Sequence, residues 1–434
     1  MTDFEALNRT ILLCRDHLVD ELSDEEIGLA FQSLRVLCVA DAVSLSCDGG
    51  QTALMTLVSL LSRMGMQVGL AVPDVAVLRP QAPFHGRGIR TALLSSSERL
   101  MPGATVMSAD TRFSPDIIFV FGAADIEGGH VPCWRMAGTD WSGSICYAAS
   151  GPTQPWNAEW PIGGMVSALL AANEAFKCAM RRLKLRNQAD QIFFEKSQAC
   201  DWDFGAIPLP EGTIDLGCVD VISAGAISQA ALYALTRLPR AQMRGRIFDD
   251  DVSAMSNLNR NMLTLVEDVG VAKVEVIAAR CGSDFQLEPI PKRFTPDNGH
   301  VQLAPRVLVG VDDIPSRWAV QRDASEWVGV GGTSHFSISS SSHLTGQPCS
   351  GCLHPIDDPG RANPIPTVSF VSFWAGLALA VRLVRQSLGK PYATNRQHLW
   401  LTPLRMDQPH AGHWSPVAPL RNCPVRCLAS QLLP

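Results

Sequence analysis

One order of segments occurs twice in this chain, and that order restricts the fold more than any other feature. Residues 35–40, "RVLCVA", read as a buried strand; a Gly-Gly pair follows, then the apolar-periodic helix "QTALMTLVSLLSRMG" and the strand "MQVGLAVP". A further buried strand lies in "DIIFVFGAADI" (116–126), and "PIGGMVSALLAANEAFKCAMRRLKL" (161–185) is a long closing helix. The order then returns. "CVDVISAGAISQAALYAL" (218–235) is strand, tight turn and helix; "GRIFDDD" is a strand, "GVAKVEVIAAR" a helix, "RVLVGVDDI" (306–314) a strand, and "SFVSFWAGLALAVRLVRQSLG" (369–389) the closing helix. Alternating strands and helices imply mostly parallel sheets with ligands at strand C-terminal ends. The repeat reads as a degenerate internal duplication; the order common to any two Rossmann-like units is the alternative. The expectation is an α/β protein with two Rossmann-like domains, 1–195 and 213–434, joined by the weakly periodic 196–212.

The 434 residues are 46% hydrophobic and 18% charged, enough apolar surface for two cores. A net charge of −6 argues against a nucleic-acid binder, which needs a basic face. The N-terminal "MTDFEALNRTILLCRDHLVDEL" is charged and amphipathic, unlike a signal peptide. "VSFVSFWAGLALAVRLV" is shorter than a bilayer span and flanked by polar residues, so no membrane partner is expected. Thirteen cysteines, scattered and mostly in apolar runs, fit a reducing cytoplasm rather than a disulfide framework.

In "VISAGAISQAAL" (221–232) a buried strand meets a tight turn and a helix N-terminus, whose free N–H groups at Gly225 and Ala226 would face an anion. The familiar Gly-x-Gly-x-x-Gly is reduced to Ser223-x-Gly225-x-x-Ser228, and serine fits the first place if its φ stays negative. An ordinary strand–helix turn is the competing reading. Asp249 ends the next strand, where a carboxylate reaches a ribose hydroxyl. Asn257, Arg260 and Lys273 follow at close spacing, and Asp312 and Asp313 stand at another strand end, suited to Mg²⁺. Hydride transfer needs no such cations; phosphoryl or nucleotidyl chemistry does. Solvated loop charges are the bland alternative.

The ordered set of motifs in 213–434 resembles the adenylation domain of the ubiquitin-activating, or E1-like, superfamily, which includes sulfur-carrier activators of molybdopterin and thiamine pathways. The set comprises Ser223-Ala-Gly225-Ala-Ile-Ser228, Asp249-Asp-Asp251, Ser256-Asn257-Leu-Asn-Arg260, Gly270-Val-Ala-Lys273, Asp312-Asp-Ile-Pro-Ser-Arg317 and Cys349-Ser-Gly-Cys352. The resemblance implies that Asp249 and Asp251 belong to the ATP site, with Asp249 on the ribose. It implies that Asn257, Arg260 and Lys273 hold the triphosphate and that Asp312 holds Mg²⁺. It implies adenylation of the C-terminal carboxylate of a ubiquitin-like protein, with an E2-like carrier as second partner. By the same resemblance the N-terminal half is an inactive copy: aligning the two Asp-Ile pairs sets Ala124 against Asp312. "LNRTILL" (7–13) is similar to the family segment whose arginine enters a partner's ATP site, making Arg9 the candidate, with a solvated helix charge as the alternative. The molecule would be a monomer with pseudo-dimeric halves, or a higher homodimer.

Cys349-x-x-Cys352 and Cys423-Pro-Val-Arg-Cys427 supply four thiolates for a tetrahedral structural Zn²⁺, or are reduced buried cysteines in a domain that lost its metal. The crossover loop 354–376, where many relatives carry a nucleophilic cysteine, has none. Direct transfer from the adenylate, an oxyester on Thr367 or Ser369, or a distant Cys146, Cys200 or Cys281 remain open, and both hydroxyls also suit helix N-caps. "SHFSISSSSHL" (334–344) alternates like a polar strand face rather than a catalytic Ser/His cluster. A sulfur-carrier activator and a non-catalytic nucleotide-binding scaffold are the rival functions.

Overall fold

The structure is a computed structural model; it describes residues 4–432 apart from 111, 127–128, 150–155, 196–198, 296–301, 358–364, 407 and 409–410. The first sheet contains β1 (Arg35–Ala40), β2 (Gln67–Ala71), β3 (Thr105–Ser108), β4 (Ile117–Phe121), β5 (Cys133–Gly138), β6 (Ser142–Tyr147) and β7 (Cys200–Asp203). The second contains β8 (Ile214–Ile222), β9 (Ala241–Phe248), β10 (Phe285–Ile290), β11 (Arg306–Val309), β12 (Trp327–Ser334), β13 (Ser337–Leu344), β14 (His398–Leu401) and β15 (Gly412–Ser415). Their orders are β3-β2-β1-β4-β5-β6-β7 and β10-β9-β8-β11-β12-β13-β14-β15. Counted from its own first strand, each sheet runs 3-2-1-4-5-6-7, and β15 extends the second. In both, the first five strands are parallel and the later ones antiparallel. The two Rossmann-like sheets expected from the sequence are therefore present. One difference concerns 196–212: Cys200–Asp203 there is not a bare connection but pairs with β6 as the seventh strand.

Helices cover both faces, which explains the near-continuous apolar runs: β4, "IIFVF", is buried throughout. Seven helices matter here: α1 (Asn8–Arg15), α2 (Asp48–Arg63), α3 (Ile162–Met180), α4 (Ala226–Leu235), α5 (Lys273–Cys281), α6 (Ile314–Asp323) and α7 (Ser369–Ser387). α2 packs on α3 and α4 on α7, and α7 also packs on α2 and α3. One continuous core runs from Leu34 and Leu57 through Phe176 to Trp374 and Leu379; Phe176 and Phe370 meet edge to face at 5.4 Å. Among the described residues no helix is long and apolar enough to cross a membrane.

Both halves repeat a device that links their first turn to a later loop. Gln51 of α2 donates through Nε2 to Leu45 O (2.9 Å) and Ala76 O (2.8 Å), and its Oε1 accepts from Leu78 N (3.0 Å). Gln229 of α4 donates to Ala224 O (3.0 Å), and its Oε1 accepts from Leu263 N (3.0 Å) and Thr264 Oγ1 (3.1 Å). Both side chains are fully buried, so each satisfied amide fixes the loop after its half's second strand.

The serine run on β13 is not the polar face its alternation suggested. Ser340, Ser341 and His343 are buried: Arg382 of α7 donates to Ser340 Oγ, Ser342 Oγ and Ser340 O, each at 2.9 Å, and on the opposite face Ser341 Oγ lies 2.9 Å from His343 Nε2. Burial lowers His343 to about 3, so the ring is neutral and structural.

The third glycine of the nucleotide turn, missing at Ser228, is offset from the other side of the contact. A Cβ at Gly310, which follows β11, would stand 2.5 Å from Ser228 Oγ, and that hydroxyl is buried without a hydrogen-bond partner among the described residues. Close strand–helix approach, which a glycine on the helix usually allows, depends here on Gly310. Gly310→Ala should cost about 1–3 kcal/mol of stability by overpacking. Ser228→Ala alone should be neutral or stabilising, and in that background the Gly310→Ala cost should shrink; urea unfolding of the double-mutant cycle measures the coupling.

Candidate active site

The turn after β8 departs from expectation at its first residue. Ser223 has φ +83°, the left-handed region, not the negative φ that would make serine unstrained. Local hydrogen bonds hold it there: its hydroxyl accepts from Gly225 N (3.0 Å) and donates to Asp249 Oδ2 (3.3 Å). Asp249, at the end of β9, also accepts from Ala224 N (2.7 Å) and Asp251 N (2.9 Å). Gly225 is extended and is the N-cap of α4, with no side chain closing the helix end. The first N–H groups of α4 are thus left for an external anion.

After β9 the chain forms a short 3-10 turn, Met255–Asn257, which Asn257 closes by accepting from Ala254 N at 3.0 Å. Arg260 donates to Ser256 O and to Asn259 Oδ1 (2.8 Å). Burial, with nearby Arg9, lowers its pKa to about 10 against the opposing pull of Asp312. Lys273 begins α5 and pairs with Asp251 at 2.5 Å. Asp312, beyond β11, keeps an exposed surface; desolvation raises its carboxyl while Arg317, Arg260 and Arg9 pull it down. Arg317 is itself fixed by two bonds to Val311 O (3.1 and 3.0 Å).

Arg9, on α1 of the N-terminal half, enters this group from the far side. It is no solvated helix charge: its Nη1 is buried and, among the described residues, without a hydrogen-bond partner. Its own carbonyl accepts from Thr367 N (3.3 Å), and neighbouring Thr10 accepts from Asn259 Nδ2 (3.0 Å). One cavity of about 230 Å³ is lined by Arg9, Gly225, Ala226, Asp249, Asp251, Asn257, Arg260, Lys273, Asp312 and Thr367. The sequence reading missed the residues that set these in place: Arg63, Gln229, Asn259 and Asn261. A larger depression, about 590 Å³, lined by Cys218, Arg244 and Gln286, holds none of the motif residues.

The described part of the crossover loop sorts the hydroxyls. Thr367 faces the cavity, with its Oγ1 3.0 Å from Ser372 Oγ. Ser369 does not: it is fully buried and donates to Leu60 O at 3.2 Å. Neither caps α7, whose N-cap is Val368 without a side-chain bond, because both hydroxyls are already engaged. Residues 358–364 of that loop lie outside the described residues. Cys146 on β6 and Cys200 on β7 belong to the first sheet, and Cys281 ends α5; none lines the cavity. Burial raises the Cys146 thiol and takes Cys281 to about 12, which suppresses the thiolate.

Residues 221–425 match the ThiF family, and residues 34–191 match the BilD N-terminal domain. The second half therefore carries a ThiF-family domain, of the E1-like superfamily. An uncharacterized protein, y4jF, of Sinorhizobium fredii is 23% identical over 348 residues, which cover 77% of this chain and 63% of that protein. The SAMP-activating enzyme E1 of Haloferax volcanii is 26% identical over 179 residues, covering 39% of this chain and 65% of that enzyme. The chain thus spans just under two thirds of the length of these curated relatives. A crystal structure of selenomethionine PaaA aligns at 13% identity and TM-score 0.38 over 57% of this chain and 72% of its own.

In the N-terminal half the corresponding place is filled. Gly122 follows β4 as Gly310 follows β11, and Ala124 stands where Asp312 does. Arg135 donates to Gly122 O and to Ala124 O (3.1 Å). A Cβ at Gly122 would lie 2.1 Å from Ser44 Oγ and 2.9 Å from Trp156 Cδ1. A buried indole and a guanidinium occupy the space that the cavity leaves open in the other half.

Two further donor sets bear on metals. The carboxylates of Asp249, Asp250 and Asp251 lie within 4.8 Å of one another, but Asp249 holds the turn and Asp251 pairs with Lys273. Asp312 stands apart from this trio, exposed on the cavity with Arg9, Arg260 and Arg317 near it. Cys349, Cys352, Cys423 and Cys427 also converge within 4.8 Å, with Sγ–Sγ distances of 3.4 Å (349–423), 3.6 Å (352–427) and 4.0 Å (349–352). A tetrahedron with Zn–S near 2.3 Å has edges of about 3.8 Å, so the four thiols fit zinc. Metal analysis should find one zinc per chain, and Cys423→Ser should lower both zinc content and the unfolding temperature. Freshly purified protein free of zinc would remove the site.

Proposed function

We propose that this chain is an ATP- and Mg²⁺-dependent activating enzyme that adenylates the C-terminal carboxylate of a ubiquitin-like protein and passes it to an E2-like carrier. Residues 1–195 would serve as the inactive half and 213–434 as the active one, with a structural zinc pinning the tail. Its thirteen free cysteines fit a reducing, cytoplasmic setting. The observation that carries the reading is the meeting of Arg9, Arg260 and Lys273 on one cavity with Asp312 opposite and no internal partner for Arg9 Nη1. A buried N–H without a partner is costly, and a triphosphate would satisfy the one on Arg9.

In this scheme the first N–H groups of α4 face the phosphates, and Asp249 keeps the turn shaped while its carboxylate edge reaches the ribose. Asn257, Arg260 and Lys273 orient the triphosphate. Asp312 would hold a magnesium ion, which would supply neutralising positive charge to the phosphates. A carboxylate oxygen attacks the α-phosphorus, the bond from that phosphorus to the bridging oxygen breaks, and its electron pair leaves on pyrophosphate. Arg9 and Arg260 stabilise the charge that develops around the α-phosphate. The product is an acyl-adenylate.

No cysteine lines the cavity among the described residues, and the remainder of the crossover loop contains none in its sequence. This favours transfer directly from the adenylate, or through an oxyester, over a thioester or persulfide relay. Thr367 would be the oxyester acceptor in preference to Ser369, since only Thr367 reaches the cavity.

ATP–pyrophosphate exchange in the presence of the cognate ubiquitin-like protein tests the proposal. Asp312→Ala and Arg260→Ala should each reduce exchange by about 10²–10³-fold, the loss typical of removing one charge-stabilising group. Absence of exchange in the unmodified chain with its partner would refute the enzymatic reading.

A further inference from the structure

The last residue of α2 and a residue just past α4 form a reciprocal pair across the two halves. Arg63, fully buried, leaves the N-terminal half and binds the loop that follows β9. Its Nη1 donates to Leu258 O (2.7 Å), and its Nη2 to Met262 O (3.1 Å) and Thr264 O (2.9 Å). Arg237, 1% exposed, crosses the other way, and its Nη2 donates to Ala82 O (2.6 Å) in the loop that follows β2. The remaining side-chain contacts of Arg237 stay within its own half: Nη1 donates to Tyr233 O (2.8 Å), and the guanidinium lies over the Tyr233 ring at 3.1 Å; its carbonyl accepts from Arg79 Nη1 (3.5 Å) of the other half. Each half therefore lends an arginine to the loop after the partner half's second strand. The loans are unequal: three carbonyls of the loop with the nucleotide residues, against one of the loop without them.

The three carbonyls that Arg63 holds bracket the residues facing the cavity. Leu258 lies between Asn257 and Arg260, and Met262 follows Asn261. The backbone there is a succession of short turns, with Asn261 N on Asn257 O (2.9 Å) and Thr264 N on Asn261 O (3.2 Å). Turns of this length do not hold a fixed orientation alone, and buried carbonyls without a donor are costly. Gln229 fixes the loop from its own half at Leu263 N and Thr264 Oγ1, and Arg63 fixes it from the other.

We infer that Arg63 is a positioning residue for the nucleotide site, through which the N-terminal half sets the Asn257–Arg260 turn without touching the ligand. Its contribution to catalysis rests on the adenylation reading above; its contribution to the loop does not. The planar fork is what allows one side chain to serve three carbonyls, and a lysine of similar charge presents a single ammonium in its place. Arg237 is the built-in control, because its removal damages an equally buried inter-half contact away from the nucleotide loop.

The test compares Arg63→Lys, Arg63→Met and Arg237→Met in the full chain by hydrogen–deuterium exchange, and by KM for ATP and kcat in pyrophosphate exchange. All three are expected to unfold at lower temperature. Only the Arg63 variants should accelerate amide exchange across residues 256–265, and only they should raise KM for ATP, by about tenfold for Arg63→Met and less for Arg63→Lys. Arg237→Met should keep the KM of the unmodified chain. Protection of 256–265 unchanged in Arg63→Lys would overturn the inference, as would KM shifts equal in the Arg63→Met and Arg237→Met chains. If the unmodified chain neither binds ATP nor exchanges pyrophosphate, the adenylation reading falls, and the amide-exchange comparison still decides the role of Arg63.

Discussion

The two halves cannot bury their helices separately. α7 of the second half packs on α4 of its own sheet and on α2 and α3 of the other, so the apolar surface of both sheets drains into one core. At about 25 cal/mol per Å² of apolar area removed from water, such shared burial is the dominant favourable term in a chain of this kind. Much of the remaining structure follows from it. Once α2 lies against the second half, Arg63 at its end is brought to the 258–264 carbonyls. Ser369 at the start of α7 is brought to Leu60 of α2, and α1 is carried to the mouth of the nucleotide cavity with Arg9 on it. The cavity is a product of the interface as much as of the second sheet.

On the proposed reading, this explains why the N-terminal half is kept in the chain. Its cavity is closed by Trp156, Ser44 and Arg135, and Ala124 replaces the aspartate. It retains the sheet order, the Gln51 contacts and the helix that delivers Arg63. It keeps geometry that the other half uses.

The sequence made the second sheet's loops legible because their chemistry is local. Asp249, Asn257, Arg260 and Lys273 fall within 25 residues, and each residue type suits phosphate or ribose. The strand and helix order was legible because buried parallel strands read as short apolar runs between longer periodic helices. Residues whose partners lie far along the chain were silent. Arg63 reads as the charged end of a helix until Leu258, 195 residues away, is placed on it, and Asn259 reads as a spacer in "SNLNR" until it meets Thr10. The misreadings share this origin. Ser223 adopts a positive φ because Asp249 and Gly225 N engage its hydroxyl, and Ser340 of β13 is buried where Arg382 comes from α7 to meet it. A one-dimensional alternation of polar residues carries no information about an arginine supplied from another element.

The central claim is that a single chain completes its own site, with Arg9 of one half facing Asp312 of the other. The most direct measurement is pyrophosphate exchange by Arg9→Ala and Asp312→Ala chains co-expressed and purified together, beside each variant alone. Completion within one chain predicts that the mixture stays as inactive as the separate variants, because every chain carries one defective half of its site. Recovery of exchange in the mixture would show that Arg9 serves a neighbouring chain, and would contradict the account.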